Sequence, residues 1–153
     1  MTEKERIYNE TEYLFNCDFM SDEFDADDSY EHYDRAQELL KNHKWSTIFS
    51  IWFDYLKNKC DTPEKTINFL NLFLYYGGTD EAIKNPYEFI GYIYYKIDLD
   101  KYWEVAGELL EGITISILEN SGVVNTVQNP YYSPLEDPEI IASKQRWRNK
   151  DEQ

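Results

Sequence analysis

The chain is short of basic residues, of cysteine and of histidine, and each shortage excludes a class of function. Only 15 Lys and Arg stand against 30 Asp and Glu, a net charge of −15 over 153 residues. Such a field disfavours direct contact with nucleic-acid phosphates or anionic lipid and favours a basic partner. Cys17 and Cys60 permit at most one disulfide and no framework, so free thiols in a reducing cytoplasm are expected. His32 and His43 have no metal-ligand spacing to each other or to a cysteine, and no metal or other cofactor is expected. No apolar run approaches the roughly eighteen residues of a membrane helix. The opening MTEKERIYNETEY lacks the basic-then-apolar pattern of a secretory signal.

Catalytic patterns are missing too. There is no glycine-rich phosphate loop and no nucleophile elbow. Asp25, Asp27 and Ser29 begin like a calcium loop, but Tyr30 takes the sixth position, where Gly is needed, and Ala36 the twelfth, where Glu is needed. Asp98 and Asp100 form a carboxylate pair whose spacing reads as a helix start rather than an acid–base couple. Both cysteines border apolar segments and read as small core residues, not nucleophiles. The chain is therefore not expected to be an enzyme.

What is present is helical periodicity. Residues 98–122 form the longest periodic run: Leu99, Tyr102, Ala106, Leu109, Leu110, Ile113 and Ile117 share one face, with Lys101, Glu104, Glu108, Glu111 and Glu119 opposite. Gly122 can end that helix in the left-handed conformation, and Gly107 and Gly112 are candidates for close helix contacts. Residues 4–16 read as a helix with Ile7, Tyr8, Leu14 and Phe15 inward and Thr11 and Glu12 outward. An acidic loop at 17–28 leads to a helix capped by Asp27, Asp28 or Ser29 and running to about residue 41. Residues 45–60 are apolar over most of the circumference, as in a nearly enclosed helix. Thr62-Pro63 starts the next, which Gly77-Gly78 stops. A turn at 79–81 and a capping box at Asn85-Pro86-Tyr87-Glu88 precede a helix to about residue 97. Residues 123–137 are rich in Pro, Asn and Ser and read as an irregular segment in which Val123, Val124 and Val127 form a short strand or dock on the core. Ser133-Pro134 and Asp137-Pro138 are rival starts of a polar helical tail over about 138–150.

The expected fold is all-α, a single domain of 153 residues with enough hydrophobic content to bury a core without staples. Its architecture is an antiparallel helical bundle or a set of helical hairpins. A 41-residue slide lays Ile48-Phe49 over Phe89-Ile90 and Leu56 over Ile97, a period near that of solenoids, although any bundle of this size gives similar spacing.

Charge and aromatics carry the functional reading. Residues 1–40 hold 13 acids and 3 bases, and residues 66–143 hold 12 and 3, whereas 41–65 and the tail from Lys144 are each +2. Aromatics make up 17% of the chain. Trp45, Trp52, Phe69, Phe73 and Trp103 suit a core, but the doublets Tyr75-Tyr76, Tyr94-Tyr95 and Tyr131-Tyr132 cannot each send both rings inward. Tyrosine at a rim beside carboxylates is the composition of a protein-binding surface. The expected site is Asp22, Glu23, Asp25, Asp27, Asp28, Tyr30, Glu31, Tyr33 and Asp34, with Phe24 tying the loop down and with Glu104, Glu108 and Glu111 as the rival surface. The expected function is a small acidic binding domain that docks onto or neutralises a basic protein, most sharply an immunity protein or an inhibitor of a toxin or nuclease. The alternatives are a helical-repeat adaptor for a peptide and an enzyme with no recognisable motif.

Overall fold

The computed structural model describes residues 1–19, 28–78, 84–97 and 99–151, with backbone alone at 28, 29, 77, 78 and 99–106. The fold is all-α, with seven α-helices and no strand among the described residues. They are α1 Glu3–Phe15, α2 Asp28–Asn42, α3 Trp45–Lys59, α4 Pro63–Phe73, α5 Pro86–Lys96, α6 Leu99–Asn120 and α7 Pro138–Asp151. A π turn, Leu74–Gly78, continues α4, and a 3-10 turn, Pro134–Glu136, precedes α7. No helix among the described residues is long and apolar enough to cross a membrane. The helices fall into two compact units, Met1–Gly78 and Thr79–Gln153.

In the first unit the starts of α1 and α4 follow from their caps. Thr2 Oγ1 accepts from the Glu5 amide at 3.1 Å, and Thr62 Oγ1 accepts from the Lys65 amide at 3.3 Å with Pro63 at the first helical position. Helix α3 buries Ile48, Phe49, Ile51, Trp52, Phe53 and Leu56, the near-enclosure its composition requires. Phe15, at the end of α1, wedges into that core. Its ring stacks on Phe69 at 4.6 Å and meets Trp52 and Tyr76 edge-on at 5.2 and 5.3 Å. Trp45 is only half-buried, and the side chain of Trp103 lies outside the described residues. Thr11 corrects the reading of α1. It is fully buried rather than outward, because its hydroxyl donates to the Ile7 carbonyl at 2.7 Å and leaves the methyl to pack.

The second unit is built on a close crossing of α5 and α7. A Cβ added at Gly91 would lie 2.1 Å from Ser143 Oγ, 2.4 Å from Ser143 Cβ and 2.9 Å from the Lys144 amide nitrogen, so only glycine fits. Gly112 does not have the close contact expected of it, since an added Cβ there meets nothing within 4 Å. Trp147 reinforces the crossing: its Nε1 donates to the Glu88 carbonyl at 2.9 Å and its ring meets Tyr92 edge-on at 4.9 Å. Helix α6 packs Leu110, Thr114, Ile117 and Leu118 inward. Thr114 Oγ1 donates to the Leu110 carbonyl at 2.8 Å and accepts from the Tyr94 hydroxyl at 3.2 Å. Gly122 ends α6 as expected, at φ 76°, with its own amide on the Glu119 carbonyl and that of Val123 on the Leu118 carbonyl.

Three local readings change. Asn85 makes no capping bond; its Nδ2 instead donates to the Glu88 carboxylate at 3.1 Å. Val123, Val124 and Val127 form no strand, and Val127 is 91% exposed. Ser133-Pro134 and Asp137-Pro138 are both used, one opening the 3-10 turn and the other α7.

Ser143 Oγ is buried without a hydrogen-bond partner, a situation that costs about 1–3 kcal/mol. Gly91→Ala is therefore expected to destabilise the second unit by about 1–3 kcal/mol through overpacking, whereas Ser143→Ala is neutral or stabilising. Urea-unfolding midpoints of the two variants and of the parent check both, and a stable Gly91→Ala protein would show that the crossing is looser than this.

Candidate functional site

Helix α2 positions the residues singled out as an acidic surface. Its inward face carries Ala36, fully buried, and His32, nearly so, with Tyr33, Leu39 and Leu40 half-buried beside them. Tyr30, Glu31 and Asp34 fall on the exposed side, and Tyr30 is 70% exposed. Tyr33 does not join them, because its ring packs edge-on against Tyr75 at 5.4 Å. Asp22, Glu23, Asp25 and Asp27, with Phe24, lie outside the described residues, as does the side chain of Asp28. Among the rival carboxylates Glu108 is exposed, Glu111 is half-buried, and the Glu104 side chain is not described.

The structure adds a cluster that the sequence did not reveal. Arg35, the one Lys or Arg between Asp28 and Leu40, clamps Glu10 of α1 through Nε at 2.5 Å and Nη2 at 2.6 Å. Its Nη1 lies 3.8 Å from Glu31, and its guanidinium sits 3.9 Å from the centre of the Tyr13 ring. Tyr13 in turn stacks on His32 at 4.4 Å and 3°. The Glu10 carboxylate, through its hydrogen bonds, holds the guanidinium above its already high pKa, so the charge is permanent. Complementary residues on α1 and α2 were visible in the sequence, but which helices pair was not. The consequence is electrostatic: the local base is spent on the packing of α2 against α1, and Tyr30 and Asp34 are left facing water.

Elsewhere in the first unit a cleft of about 570 Å³ is lined by Phe15, Cys17, Tyr55, Lys59, Cys60 and Asn68, among others. Asn68 holds its edge, accepting from the Phe19 amide at 2.8 Å and donating to the Cys17 carbonyl at 2.7 Å. Both thiols are free. Burial pushes the Cys60 thiol up to about 11, and burial also raises Cys17, against a lowering from its bond with Tyr76. Neither has the depressed pKa of a nucleophile. Among the described residues no group of three or more His, Cys, Asp or Glu comes together in a way that holds a metal ion. His43 Nδ1 lies 3.7 Å from the Glu3 carboxylate. Comparison with family models, with curated proteins and with solved structures finds no match to this chain.

The raised groups define a pH window. Burial lifts Tyr55 from 10.0 to about 12 and Cys60 from 9.0 to about 11. A group whose folded pKa exceeds its unfolded value stabilises fully below the unfolded value and loses that contribution as pH rises through the folded one. The urea midpoint of the first unit is thus expected to hold up to about pH 9 and to fall between about pH 9 and 12. Tyr55→Phe should flatten the upper part of that fall, and an unchanged profile in this variant would show that Tyr55 is not a contributor.

Proposed function

We propose that the chain is a protein-binding module that meets a basic protein through the outer face of α2 and the acidic segment leading into it. Neutralisation of a toxin or nuclease is its sharpest form. One observation supports this above the others: Tyr30 stands 70% exposed beside Glu31 and Asp34 while Arg35 is turned onto Glu10. A large ring offers buried area at low entropy cost, and Asp34, together with Glu31, whose pairing with Arg35 is shared with Glu10, steers a cationic surface toward it. The excess of 13 acids over 3 bases in residues 1–40 extends the same field. Like charges at this density repel one another, and a helix N-terminus offsets only the first few. A purely structural role leaves most of them unexplained.

The test is affinity capture from the source cells with the parent chain and with a Tyr30→Ala/Glu31→Gln/Asp34→Asn variant, followed by titration of the captured protein. A basic protein is expected whose affinity for the variant falls at least about tenfold and whose salt dependence becomes shallower. Equal affinity for parent and variant at low and high salt would remove α2 from the interface.

A further inference from the structure

The segment between α6 and α7 has no regular helix before Pro134, yet hydrogen bonds hold it. Asn125 Oδ1 accepts from the amides of Val127 and Gln128 at 3.0 and 3.2 Å, and the Asn129 amide reaches the Asn125 carbonyl at 2.9 Å. The Thr126 hydroxyl donates to the Glu119 carboxylate. Asp137 ties the far end: one oxygen accepts from the Tyr132 hydroxyl at 2.5 Å and the other from the Glu139 amide at 2.9 Å, in the first turn of α7. On this fixed backbone Val127 and Tyr131 stand 91% and 92% exposed. Large side chains held in water by a pre-arranged backbone form a surface that binds with little ordering cost.

Between this segment and Tyr87 of α5 lies a cleft of about 500 Å³, open to solvent, within the roughly 300–1,000 Å³ of ligand sites. Its lining combines the rings of Tyr87, Tyr131 and Tyr132, the amides of Gln128 and Asn129, and the carboxylate of Glu136. Each part selects a feature of the occupant. An open cleft suits a chain passing through it better than an enclosed small molecule. There is no strand edge here to pair with a peptide backbone, so main-chain groups must be met by side-chain amides and by the phenols other than that of Tyr132, which is held on Asp137. A polyproline II segment fits that demand, since its carbonyls are free, its rings lie flat on aromatic faces and its conformation is already restricted. Of the lining carboxylates Glu136 is exposed while Asp137 is buried and bonded within the fold, and no Lys or Arg lines the cleft, so the complementary charge is positive.

We propose that this cleft binds an extended, proline-rich segment bearing Lys or Arg, with a proline ring against Tyr131 and a cation beside Glu136. The site lies within the second unit, and the proposal does not rest on the reading of α2.

Calorimetric titration with an acetylated ten-residue peptide of prolines interrupted by arginines tests this. Two control peptides replace the arginines by glutamates or the prolines by glycine and serine. Saturable binding of the proline–arginine peptide is expected, weakened at least about tenfold by Tyr131→Ala. Glu136→Gln should weaken it about threefold with a shallower salt dependence. Both side chains are exposed, so the variants keep the fold, which circular dichroism verifies. Glu31→Gln/Asp34→Asn should leave peptide binding unchanged, which separates this site from the α2 surface. Absence of saturable binding overturns the proposal. So does equal binding of either control peptide, or indifference to Tyr131→Ala, since each leaves only a general attraction of cations to an acidic protein or none at all.

Discussion

The first unit depends on one buried hydroxyl. Tyr76 is fully buried in an aromatic core, where a phenol oxygen without a partner costs several kcal/mol by hydrocarbon transfer and about 1–3 kcal/mol by mutational measure. Its hydroxyl donates to the Leu14 carbonyl, in the last turn of α1, where carbonyls have no partner within the helix. Its own carbonyl accepts from Gln37 of α2 at 2.6 Å, and its ring packs on Phe15, Trp52 and Tyr75. One residue therefore satisfies a helix end and joins α1, α2 and α3. The π turn Leu74–Gly78 is what carries Tyr76 beyond the end of α4 to reach them. The Cys17 thiol, 3.8 Å from the same hydroxyl and 3.5 Å from the same carbonyl, is drawn into the arrangement. The bond lowers the thiol's pKa, and burial, the larger effect, leaves it raised.

Such a core also explains how the unit tolerates its charge. Surface repulsion among carboxylates works against compaction, and exposed ion pairs return at most about 1 kcal/mol each. Stability must come from buried area, and the cluster of Phe15, Phe49, Trp52, Phe69, Phe73 and Tyr76 supplies it. Helix α2 then needs only modest anchoring, from Ala36, His32 and the Arg35–Glu10 clamp, and its outer face is free to carry acids. In the second unit the same role falls to the α5–α7 crossing, where glycine lets two backbones approach and Trp147 seals the contact.

Much of this was readable in the sequence because its causes are local. Thr62-Pro63, Gly122 and the apolar circumference of residues 45–60 act within one helix, and each fixed an element or its end. Failures occurred where the cause lies on another element. Thr11 reads as outward by polarity, but a bond to the carbonyl one turn back makes it a core residue. Tyr33 reads as rim until Tyr75 is beside it. Gly91 reads as an unremarkable glycine, since the side chain that forbids a Cβ is Ser143, on α7. The Arg35–Glu10 clamp needs the pairing of α1 with α2, which no spacing rule supplies.

The tyrosine doublets show how core and surface divide the aromatic content. Tyr76 is buried while Tyr75 is half-buried, and Tyr94 is buried while Tyr95 is half-buried with its hydroxyl on Asp151 at 2.8 Å. Tyr132 is half-buried on Asp137 while Tyr131 stands in water. Adjacent helical residues point about 100° apart, so a doublet on the rim of a helix sends one ring to the core and the other sideways. Phenylalanine in the second position would expose apolar area with nothing to offer water, whereas tyrosine keeps a hydroxyl for water, a carboxylate or a partner's carbonyl. The rings that the core does not absorb are therefore already equipped for recognition. Tyr30 and Tyr131, the two most exposed rings among the described residues, stand beside Glu31 and Asp34 in one unit and beside Glu136 in the other. Ring and carboxylate recur together on both, the pairing on which the two proposed surfaces rest.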